Sequence, residues 1–492
     1  MSFTESLDEL VAADRSGLLG IAPGWSRVRL GDVCSILNGY PFASQRFASE
    51  GGTPIIRIRD VLRGSTETHY VGEFDAAYLV RHGELLVGMD GDFNCAAWAG
   101  SDALLNQRVC KLVPDEARYS RRLLLLALPG YLAAINRKTS SITVKHLSSR
   151  TVQEIPLPLP PRPEQDQIAD AIESHFSRLD AATATLERVQ RNLERYRASV
   201  LKAAVEGRLV PTEAELAKKE GRSYEPASVL LRRILAERRR RWEEAELAKL
   251  KAKGKPPTDD RWKACYEEPA APDADGLPEL PEGWCWTRVD TAGRVQLGRQ
   301  RAPSYHTGSH MRPYLRVANV FEDRIDTSDV MSMNFTPDEY VVYRLKFGDI
   351  LLNEGQSPHL VGRPAMYRDE LPGACFTNSL VRFQAEAGIE PRFALVVFLA
   401  QLHMRRFMRI AQITTNIAHL GAGRFAAIEF PLPPLAEQRR IADEVERLLS
   451  TVAASRTAIA NEIDRVARLR QCILKWAFEG RLARASSQEV SC

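Results

Sequence analysis

The stretch PLPPRPEQDQIADAIE at residues 158–173 decides the architecture, because it returns as PLPPLAEQRRIADEVE at residues 431–446. Both copies continue without a gap to the sequence EGRL, which ends at residue 209 in the first copy and at residue 482 in the second. Insertions are tolerated where a chain runs over the surface, so a long repeat without one is typical of a rigid element. The chain is therefore built around a duplicated rigid segment.

Each copy of the repeat has an apolar residue at every seventh position, which predicts a helix that packs along a coiled-coil seam. A proline pair lies near the start of each copy, and Gly207 and Gly480 lie near the ends, as expected where a helix begins and ends. We predict two antiparallel helices of about 40 residues, roughly 60 Å long at 1.5 Å per residue. The heptad residues are Ile172, Leu179, Leu186, Leu193 and Val200 in the first copy, and Val445, Val452, Ile459, Val466 and Ile473 in the second. The second seam position is predicted at Ala182, Val189, Tyr196 and Ala203, and is less regular in the second copy, which has Ser455, Glu462, Leu469 and Trp476 there.

The segments that precede the two helices also resemble each other. Gly24-Trp25 is matched by Gly283-Trp284, and Asn106 is matched by Asn378. The offset grows from 259 (283 − 24) to 273 (431 − 158), as expected for loops of different length on a common scaffold. Alternating apolar runs such as residues 55–58 predict strands, and residues 121–136 predict a helix. Each segment is therefore predicted to be an α+β domain.

These patterns predict a pseudo-twofold repeat in which two α+β domains are separated by two long antiparallel coiled-coil helices. A charged connector lies between the halves, with a helix predicted at about residues 226–252, and its paired Arg and Glu residues favour a solvated helix over phosphate binding. The predicted boundaries are residues 1–157 for the first domain, 158–209 for the first long helix, 210–280 for the connector, 281–430 for the second domain, and 431–492 for the second long helix and tail.

Composition limits the function classes. Lys and Arg total 67 against 63 for Asp and Glu, a net charge of +4, so anion binding must rest on local patches. The eight cysteines form no C-x-x-C pair, and no apolar run approaches the roughly 20 residues that span a bilayer. We therefore expect a cytoplasmic protein with no metal site and no membrane segment.

The residues described so far resemble the specificity subunits of type I restriction–modification systems. The resemblance covers nearly the whole chain and rests on the two PLPP-x-x-EQ helix starts, the two EGRL ends, and the matched Gly-Glu-Leu-Leu (residues 83–86) and Gly-Asp-Ile-Leu (residues 348–351) strands. It implies a bipartite reader in which each target-recognition domain binds one half of a split sequence in double-stranded DNA. The helices would set the gap between the halves.

The resemblance also implies partners and cofactors. Two methyltransferase subunits and two restriction (motor-nuclease) subunits are expected to bind the chain. We expect no catalytic residue and no cofactor on the chain itself, which has neither an Asn-Pro-Pro-Tyr methyltransferase motif nor a G-x-x-x-x-G-K-S/T phosphate loop. S-adenosylmethionine and ATP with magnesium are expected on the partner subunits.

Arginine and amide side chains near the predicted strands are candidates for DNA contacts. Arg57 and Arg59 alternate on one predicted strand, where arginine can reach guanine edges or hold phosphates, although a surface ion pair explains them equally well. Asn319 could pair with adenine or cap a turn. The predicted DNA-contacting residues are Tyr40, Arg57, Arg59, Asn106, Gln107, Lys145, Arg299, Arg301, Arg316, Asn319 and Asn378.

Matched polar residues at the two helix ends have two interpretations. A carboxylate in the first turn complements the helix dipole, which explains the glutamates but not the repeated glutamines or EGRL tails. The predicted partner-binding residues are Glu164, Gln165, Glu206, Arg208, Glu437, Gln438, Glu479 and Arg481. His146 and His419, just before the helices, are predicted to be packing or polar residues rather than metal ligands.

Two other function classes compete with this hypothesis. An enzyme that carries its own nuclease or methyltransferase activity would need a further domain, although nearly all of the 492 residues are already assigned. A coiled-coil scaffold without DNA binding would not need two domains with divergent loops. Turnover by the purified chain with DNA, S-adenosylmethionine, ATP and magnesium would support the enzyme.

Overall fold

The computed structural model describes residues 6–139, 145–254, 257–273, 275–414 and 416–482. Contacts divide the chain into two compact units, residues 1–188 with 458–492, and residues 189–457. Each unit therefore combines one α+β domain with parts of both long helices. No helix in the described ranges is long and apolar enough to cross a membrane.

The first domain combines short helices with two sheets. Its helices are α1 (Leu7–Ala12), α2 (Leu30–Val33), α3 (Arg121–Lys138) and α4 (Ser149–Gln153). Its strands are β1 (Ser26–Arg29), β2 (Cys34–Asn38), β3 (Phe47–Ala48), β4 (Thr53–Ile56), β5 (His69–Tyr70), β6 (Leu79–Val80), β7 (Leu85–Gly88), β8 (Asn94–Ala97), β9 (Ala103–Leu105), β10 (Val109–Pro114) and β11 (Pro156–Leu159). The sheets run in the order β2-β10-β7-β8 and β3-β5-β4-β9-β6, and β1 pairs with β11.

One long helix and the connector follow. The long helix is α5 (Arg162–Val205), and the connector forms α6 (Glu213–Glu220) and α7 (Ala227–Ala252). Pro226 precedes α7 at its N-cap, so the helix predicted in the connector is confirmed.

The second domain repeats this plan. Its helices are α8 (Val289–Ala292), α9 (Pro337–Tyr343), α10 (Pro391–His403), α11 (Arg406–Ile410) and α12 (Ala422–Ala426), and the second long helix, α13 (Leu435–Phe478), follows. Its strands are β12 (Cys285–Arg288), β13 (Gly293–Leu297), β14 (Met311–Leu315), β15 (Val320–Phe321), β16 (Arg324–Ile325), β17 (Met331–Asn334), β18 (Ile350–Asn353), β19 (Gly355–Gln356), β20 (Pro364–Met366), β21 (Cys375–Phe376), β22 (Leu380–Ala385), β23 (Gln412–Thr414), β24 (Ile417–His419) and β25 (Glu429–Leu432). The sheet β13-β22-β18-β20 matches β2-β10-β7-β8, the parallel pair β14–β21 matches β4–β9, and β12–β25 matches β1–β11.

The core of each domain lies between its four-stranded sheet and the helix that follows it. In the first domain Tyr119, Leu128 and Tyr131 are buried beside β7 and β10. In the second, the ring centroids of Phe383 and Phe398 lie 5.0 Å apart in an edge-to-face contact. Aromatic pairs of this geometry add about 1 kcal/mol beyond the burial of their surface.

The long helices confirm the heptad prediction at its first seam position. Each helix is 44 residues long, or roughly 66 Å at 1.5 Å per residue. Within the first unit Ile172, near the start of α5, packs with Ile473 and Ala477, near the end of α13. The two ends therefore run antiparallel, as predicted.

The second seam position is wrong in the second unit. Val189 and Tyr196 are 39% and 46% exposed, although the heptad places them on the seam. Ser455 lies at the second seam position of α13, and its polar side chain provides no apolar partner. The first seam row is therefore buried along α13 and at both ends of its length in α5, whereas Val189 and Tyr196 of the second row are exposed.

Candidate DNA interface and helix ends

Strand ends converge at one edge of the first domain. Asn38, at the end of β2, pairs with Cys110, and Gly88, at the end of β7, pairs with Val109 of β10 and Asn94 of β8. The parallel strands β4 and β9 end at the same side, because β9 runs directly into the turn that opens β10. We call the segments that meet here (residues 39–42, 57–60, 89–93 and 106–108) the first loop edge.

The second domain has the same arrangement. Leu297, at the end of β13, pairs with Val381 of β22, and Asn353, at the end of β18, pairs with Leu380. The segments that meet there are residues 298–301, 316–319, 354–363 and 377–379, and we call them the second loop edge. The two edges are therefore built from corresponding connections.

A glycine at each loop edge permits a close approach between two backbones. A Cβ at Gly39 would lie 1.9 Å from the carbonyl oxygen of Asn106, and one at Gly298 would lie 2.2 Å from that of Thr377. No side chain fits at these distances, so both positions require glycine. Sequence reasoning missed this pair, although their equal spacing from the repeated Gly-Trp pairs was a usable signal.

Backbone hydrogen bonds around these glycines correct one match. The Tyr40 carbonyl accepts from the Gln107 N–H at 2.9 Å, and the Arg299 carbonyl accepts from the Asn378 N–H at 2.9 Å. Asn378 therefore corresponds to Gln107, and not to Asn106 as the sequence match had it. The offset between the two domains is therefore 271 (378 − 107) at this point, one residue less than the 272 (378 − 106) of the sequence match.

Aromatic and amide side chains are exposed on the first loop edge. Tyr40 is 48% exposed, and its ring centroid lies 5.1 Å from that of Phe42 and 5.2 Å from that of Tyr78. Gln107 is exposed, whereas Asn106 is buried and its Oδ1 has no hydrogen-bond partner among the described residues. Tyr40 and Gln107 are therefore accessible to a ligand here, and Asn106 is not.

Arg57 and Arg59 lie beyond their strand and do not alternate along it. Strand β4 ends at Ile56, and a single turn of 3-10 helix follows, in which Asp60 Oδ2 accepts the Arg57 N–H at 2.9 Å. This cap turns the chain, so both arginine side chains are exposed on the loop edge. Arg59 Nε lies 3.8 Å from Asp60 Oδ1, which leaves Arg57 as the more available cation.

Asn319, in the second domain, has the same capping role as Asp60 in the first domain. Its Oδ1 accepts the Arg316 N–H at 3.0 Å, and its Nδ2 donates to the carbonyls of Asp326 and Asp329. Because the amide is buried and satisfied, the base contact predicted for Asn319 is replaced by a capping role. The guanidinium of Arg316 is paired with Asp329 at 2.5 Å.

Arg299 is also a structural residue. It is 7% exposed, its Nη2 lies 2.8 Å from Glu339 Oε1, and its guanidinium stacks 3.9 Å from the ring centroid of Tyr305. The DNA contact predicted for Arg299 is therefore not available, because the side chain is buried by its own domain. Arg301, two residues later, is exposed.

Lys145 is tied to α3 in the first domain. Its Nζ donates to the backbone carbonyl of Asn136 at 2.7 Å and to the side-chain oxygen of the same residue at 2.6 Å. The ammonium group thus closes the helix end, which makes it an anchor for the segment that leads to His146.

A carboxylate meets each of the two histidines. His146 Nδ1 lies 2.6 Å from Asp90 Oδ1, and His419 Nδ1 lies 3.2 Å from Glu354 Oε2. Arg108 completes the first cluster, with its Nε 3.3 Å from Asp90 Oδ2. These pairs join the exits of β7 and β18 to the segment before each long helix. They escaped sequence reasoning because the partners are far apart in the chain.

An exposed hairpin flanks the second loop edge. Strands β23 and β24 pair antiparallel, and Ile413 and Ile417 are 54% and 51% exposed there, beside exposed Gln412 and Asn416. Neither isoleucine therefore belongs to the core of the second domain. The sequence predicted no contact for this hairpin.

The repeated glutamines join each long helix to its own domain. Gln165 accepts from the Ser120 N–H and donates to the carbonyls of Arg118 and Pro160. Gln438 makes the same three kinds of bond, to the Glu390 N–H and to the carbonyls of Gly388 and Pro433. Both side chains are fully buried. The structure thus replaces the predicted docking role of these glutamines with a structural one.

The glutamates before them differ between the units. Glu437 is buried and accepts from the Trp284 indole and from the Glu213 N–H, both at 2.8 Å. Its burial raises the pKa of this carboxyl. Glu164 is exposed and accepts from the Trp25 indole at 3.2 Å. Only Glu164 therefore remains open to a partner.

The EGRL tails end the helices. Gly207 and Gly480 have φ angles of 66° and 67°, and the next N–H, of Arg208 or Arg481, donates to a carbonyl five residues earlier. This is the glycine C-cap of a Schellman motif, which explains the repeated glycine. Arg208 and Arg481 are 64% and 62% exposed in their side chains and pair with Glu206 and Glu479.

Comparisons with known proteins agree with this geometry. The family model described as the type I restriction modification DNA specificity domain matches residues 23–192 and 332–465. The type I restriction enzyme EcoBI specificity subunit of Escherichia coli is 32% identical over 98% of this chain and 91% of its own length. The EcoKI specificity subunit of Escherichia coli strain K12 is 20% identical over 93% of this chain and 89% of its own.

A solved structure shares the fold. A chain from a study of complex assembly and conformational transition in a type I R-M system superposes with a TM-score of 0.60 and 17% identity, covering 94% of this chain and 99% of that chain. The chain described here belongs to the family of type I restriction–modification specificity subunits, which are non-catalytic DNA-recognition subunits.

Proposed function

We propose that this chain reads a bipartite target in double-stranded DNA, with one half of the sequence bound at each loop edge. The observation that carries the proposal is the repeated backbone frame around Gly39 and Gly298, on which different side chains are exposed. Identical frames with different exposed groups are what two related readers of different sequences need, because side chains specify bases in the major groove.

The exposed side chains suit base and phosphate contacts. Arg57 and Arg301 can bind a guanine edge through two hydrogen bonds or hold a phosphate, and Gln107 can pair with an adenine edge. The hairpin of β23 and β24 adds Gln412 and Asn416 at the second edge. These residues, with Tyr40 and Asn378, form our proposed DNA-contacting set. Arg299, Asn319 and Lys145 stabilise the loops that carry this set.

Arginine variants of the assembled methyltransferase complex test this assignment. Arg57→Ala and Arg301→Ala should each weaken binding to the target duplex by about tenfold, as expected for losing one bidentate base contact. Arg294→Ala is the matched control, since this exposed arginine lies near the opposite end of β13 from Arg301. Binding would be measured against duplexes in which one half of the target or the other is scrambled.

The two arginine variants must differ in which half they affect. Arg57→Ala should remove discrimination at one half only, and Arg301→Ala at the other. Equal weakening on every duplex would mean that the arginines hold phosphates only. Loss of discrimination at both halves in one variant would contradict the assignment of one half to each domain.

We also propose that two methyltransferase subunits and two restriction subunits bind the chain. The second seam row of α5 supports this, because Val189 and Tyr196 leave an apolar strip uncovered on a long helix. S-adenosylmethionine and ATP with magnesium would be held by those partners. The exposed side chain of Arg208, at the end of α5, is a further candidate for partner contacts.

A double variant tests the partner surface. Val189→Glu with Tyr196→Glu should abolish co-purification with the methyltransferase subunit, because two charges would be buried against the partner. Val341→Glu is the control, since Val341 is 78% exposed on α9 of the second domain. Unchanged co-purification of the double variant would place the docking surface elsewhere.

A further inference from the structure

The first unit contains a groove at the place where α13 ends. It has a volume of about 940 Å³ and is lined by Trp25, Glu164 and Ile168 on one side and by residues 479–482 on the other. Trp25 and Ile168 are only half-buried, and Glu164 is exposed. An indole and an aliphatic side chain that remain partly open beside a carboxylate suit a short amphipathic segment.

The same place in the second unit is filled by the chain itself. Trp284, Glu437 and Ile441 correspond to Trp25, Glu164 and Ile168 in the repeat, and the first turn of α6 contacts Glu437. The Glu213 N–H, in the first turn of α6, donates to Glu437 at 2.8 Å, and Arg440 holds the Glu213 carboxylate at 2.6 Å.

The matched residues differ in burial between the two units. Glu437 and Ile441 are fully buried, and Trp284 is 8% exposed. The equivalent residues of the first unit are more exposed although their backbone positions correspond. In the second unit the glutamate at this place thus accepts a backbone N–H from α6, whereas Glu164 of the first unit is exposed.

The segment that fills the second site directly follows an EGRL tail. Residues 210–220 lead from Leu209 into α6, where Thr212 and Glu215 form a capping box, with the Glu215 N–H donating to Thr212 at 3.2 Å and the Thr212 N–H donating to Glu215 at 2.9 Å. Residues 483–492 stand in the same position after Leu482, which lines the groove. Their sequence contains Ser486-Ser487-Gln488-Glu489, which has the same Ser/Thr-x-x-Glu capping pattern.

We propose that the groove of the first unit binds residues 483–492 of the same chain, in the manner in which the second unit binds α6. Ten residues are nearly as many as the eleven that reach from Leu209 to the end of α6. Glu164 would accept a backbone N–H from the segment, as Glu437 does from Glu213. The proposal rests on the repeat and does not depend on DNA binding.

Oxidation of tryptophans by hydroxyl radicals, read by mass spectrometry, tests the proposal on the full chain. Replacing residues 483–492 by ten alternating glycines and serines should raise the oxidation rate of Trp25 by roughly threefold, because a terminal segment protects a surface only when it is docked. Trp284, the buried equivalent in the second unit, is the matched reference and should not change. Trp98, which is 2% exposed in the first domain, should stay protected if that domain remains folded.

A milder variant, and a measurement with the methyltransferase subunit added, distinguish the possible outcomes. Ser486→Ala with Glu489→Ala should raise Trp25 oxidation by a smaller factor, since it removes only the cap. Equal Trp25 oxidation in the native and the glycine-serine chains would overturn the proposal. Protection of Trp25 that appears only when the methyltransferase subunit is added, whatever the sequence of residues 483–492, would overturn it as well and assign the groove to the partner.

Discussion

The two domains hold their loop edges with one backbone frame but present different side chains on it. Gly39 and Gly298 make the same close approach, and the loop that follows β4 or β14 is capped by a buried side chain in both domains. At the position after the glycine, Tyr40 is 48% exposed whereas Arg299 is 7% exposed. The backbone arrangement is thus the same in the two domains, whereas the exposed residues differ.

This difference separates two kinds of constraint. Positions that serve the backbone, such as the close-approach glycines and the buried glutamines, are repeated because any other residue leaves a clash or an unpaired polar group. Positions that face solvent are not repeated, because nothing within the domain fixes them. Matched substitutions in the two units therefore have equal effects at frame positions and unequal effects at exposed ones.

The largest expected effects come from the close-approach glycines. Gly39→Ala and Gly298→Ala should each cost about 3 kcal/mol or more in the free energy of unfolding, because the new methyl group meets a backbone carbonyl that must move. Urea unfolding would measure the cost in each variant. Gly423→Ala is the control, since a Cβ there meets open space within α12, and it should be neutral or stabilise by up to about 1 kcal/mol. A glycine that accepts alanine without cost would break the equivalence of the two frames.

The buried glutamines should give the next largest effect, equal in the two units. Gln165→Leu and Gln438→Leu each leave one N–H and two carbonyls without their partner and should cost about 2–3 kcal/mol. Gln471→Leu is the control on α13, because Gln471 is exposed, and it should change stability by less than about 0.5 kcal/mol. Loss of partner binding with unchanged stability would instead return Gln165 and Gln438 to a docking role.

Glu213, in the second unit, should have a smaller effect on stability, and this effect should depend on pH. Burial works to raise the pKa of Glu213, but hydrogen bonds from Arg440 and Arg222 outweigh it, so the pKa lies below its ordinary value of 4.5. The carboxylate therefore contributes stability above about pH 4.5 that is lost as the pH falls through the lowered pKa. Glu213→Gln should lower stability at pH 7 by up to about 1 kcal/mol, with the deficit shrinking below pH 4.5.

Glu437 gives the opposite trend and serves as the internal control. Burial raises its pKa, so its charged form costs stability at neutral pH and the native chain recovers that cost as the pH falls. The Glu437→Gln variant should therefore become less stable relative to the native chain as the pH falls. Melting temperatures from pH 7 to pH 4 would show both trends, and parallel trends in the two variants would contradict the assigned pKa directions.

The sequence predicted the elements that have a period or a repeat. Both long helices begin directly after their proline pairs and end just before Gly207 and Gly480, as predicted, because proline and glycine act on the backbone locally. The exposed second seam row was not predictable from the heptad, since burial of Val189 and Tyr196 depends on what the facing helix offers. The periodicity thus predicted both long helices but only one of their two seam rows.

The candidate site was predictable to a smaller extent. The sequence located the loops around residues 40, 57, 107 and 301, but it could not distinguish exposed side chains from buried ones within them. Arg299 and Asn319 were selected by residue type, but Arg299 is buried beside Glu339, which is distant in the chain, and Asn319 is buried within its own turn. The two histidine–carboxylate pairs were missed because they join residues that are far apart in the chain.

Exchanging residues 281–427 for the corresponding domain of a relative that reads a different target tests the central claim most directly. The exchanged chain would be expressed with its methyltransferase subunit, and methylated adenines would be mapped across the genome. Our account predicts that one half of the bipartite target changes to that of the donor while the other half is retained. A methylation pattern in which both halves change, or in which neither does, would contradict the claim that each domain reads one half.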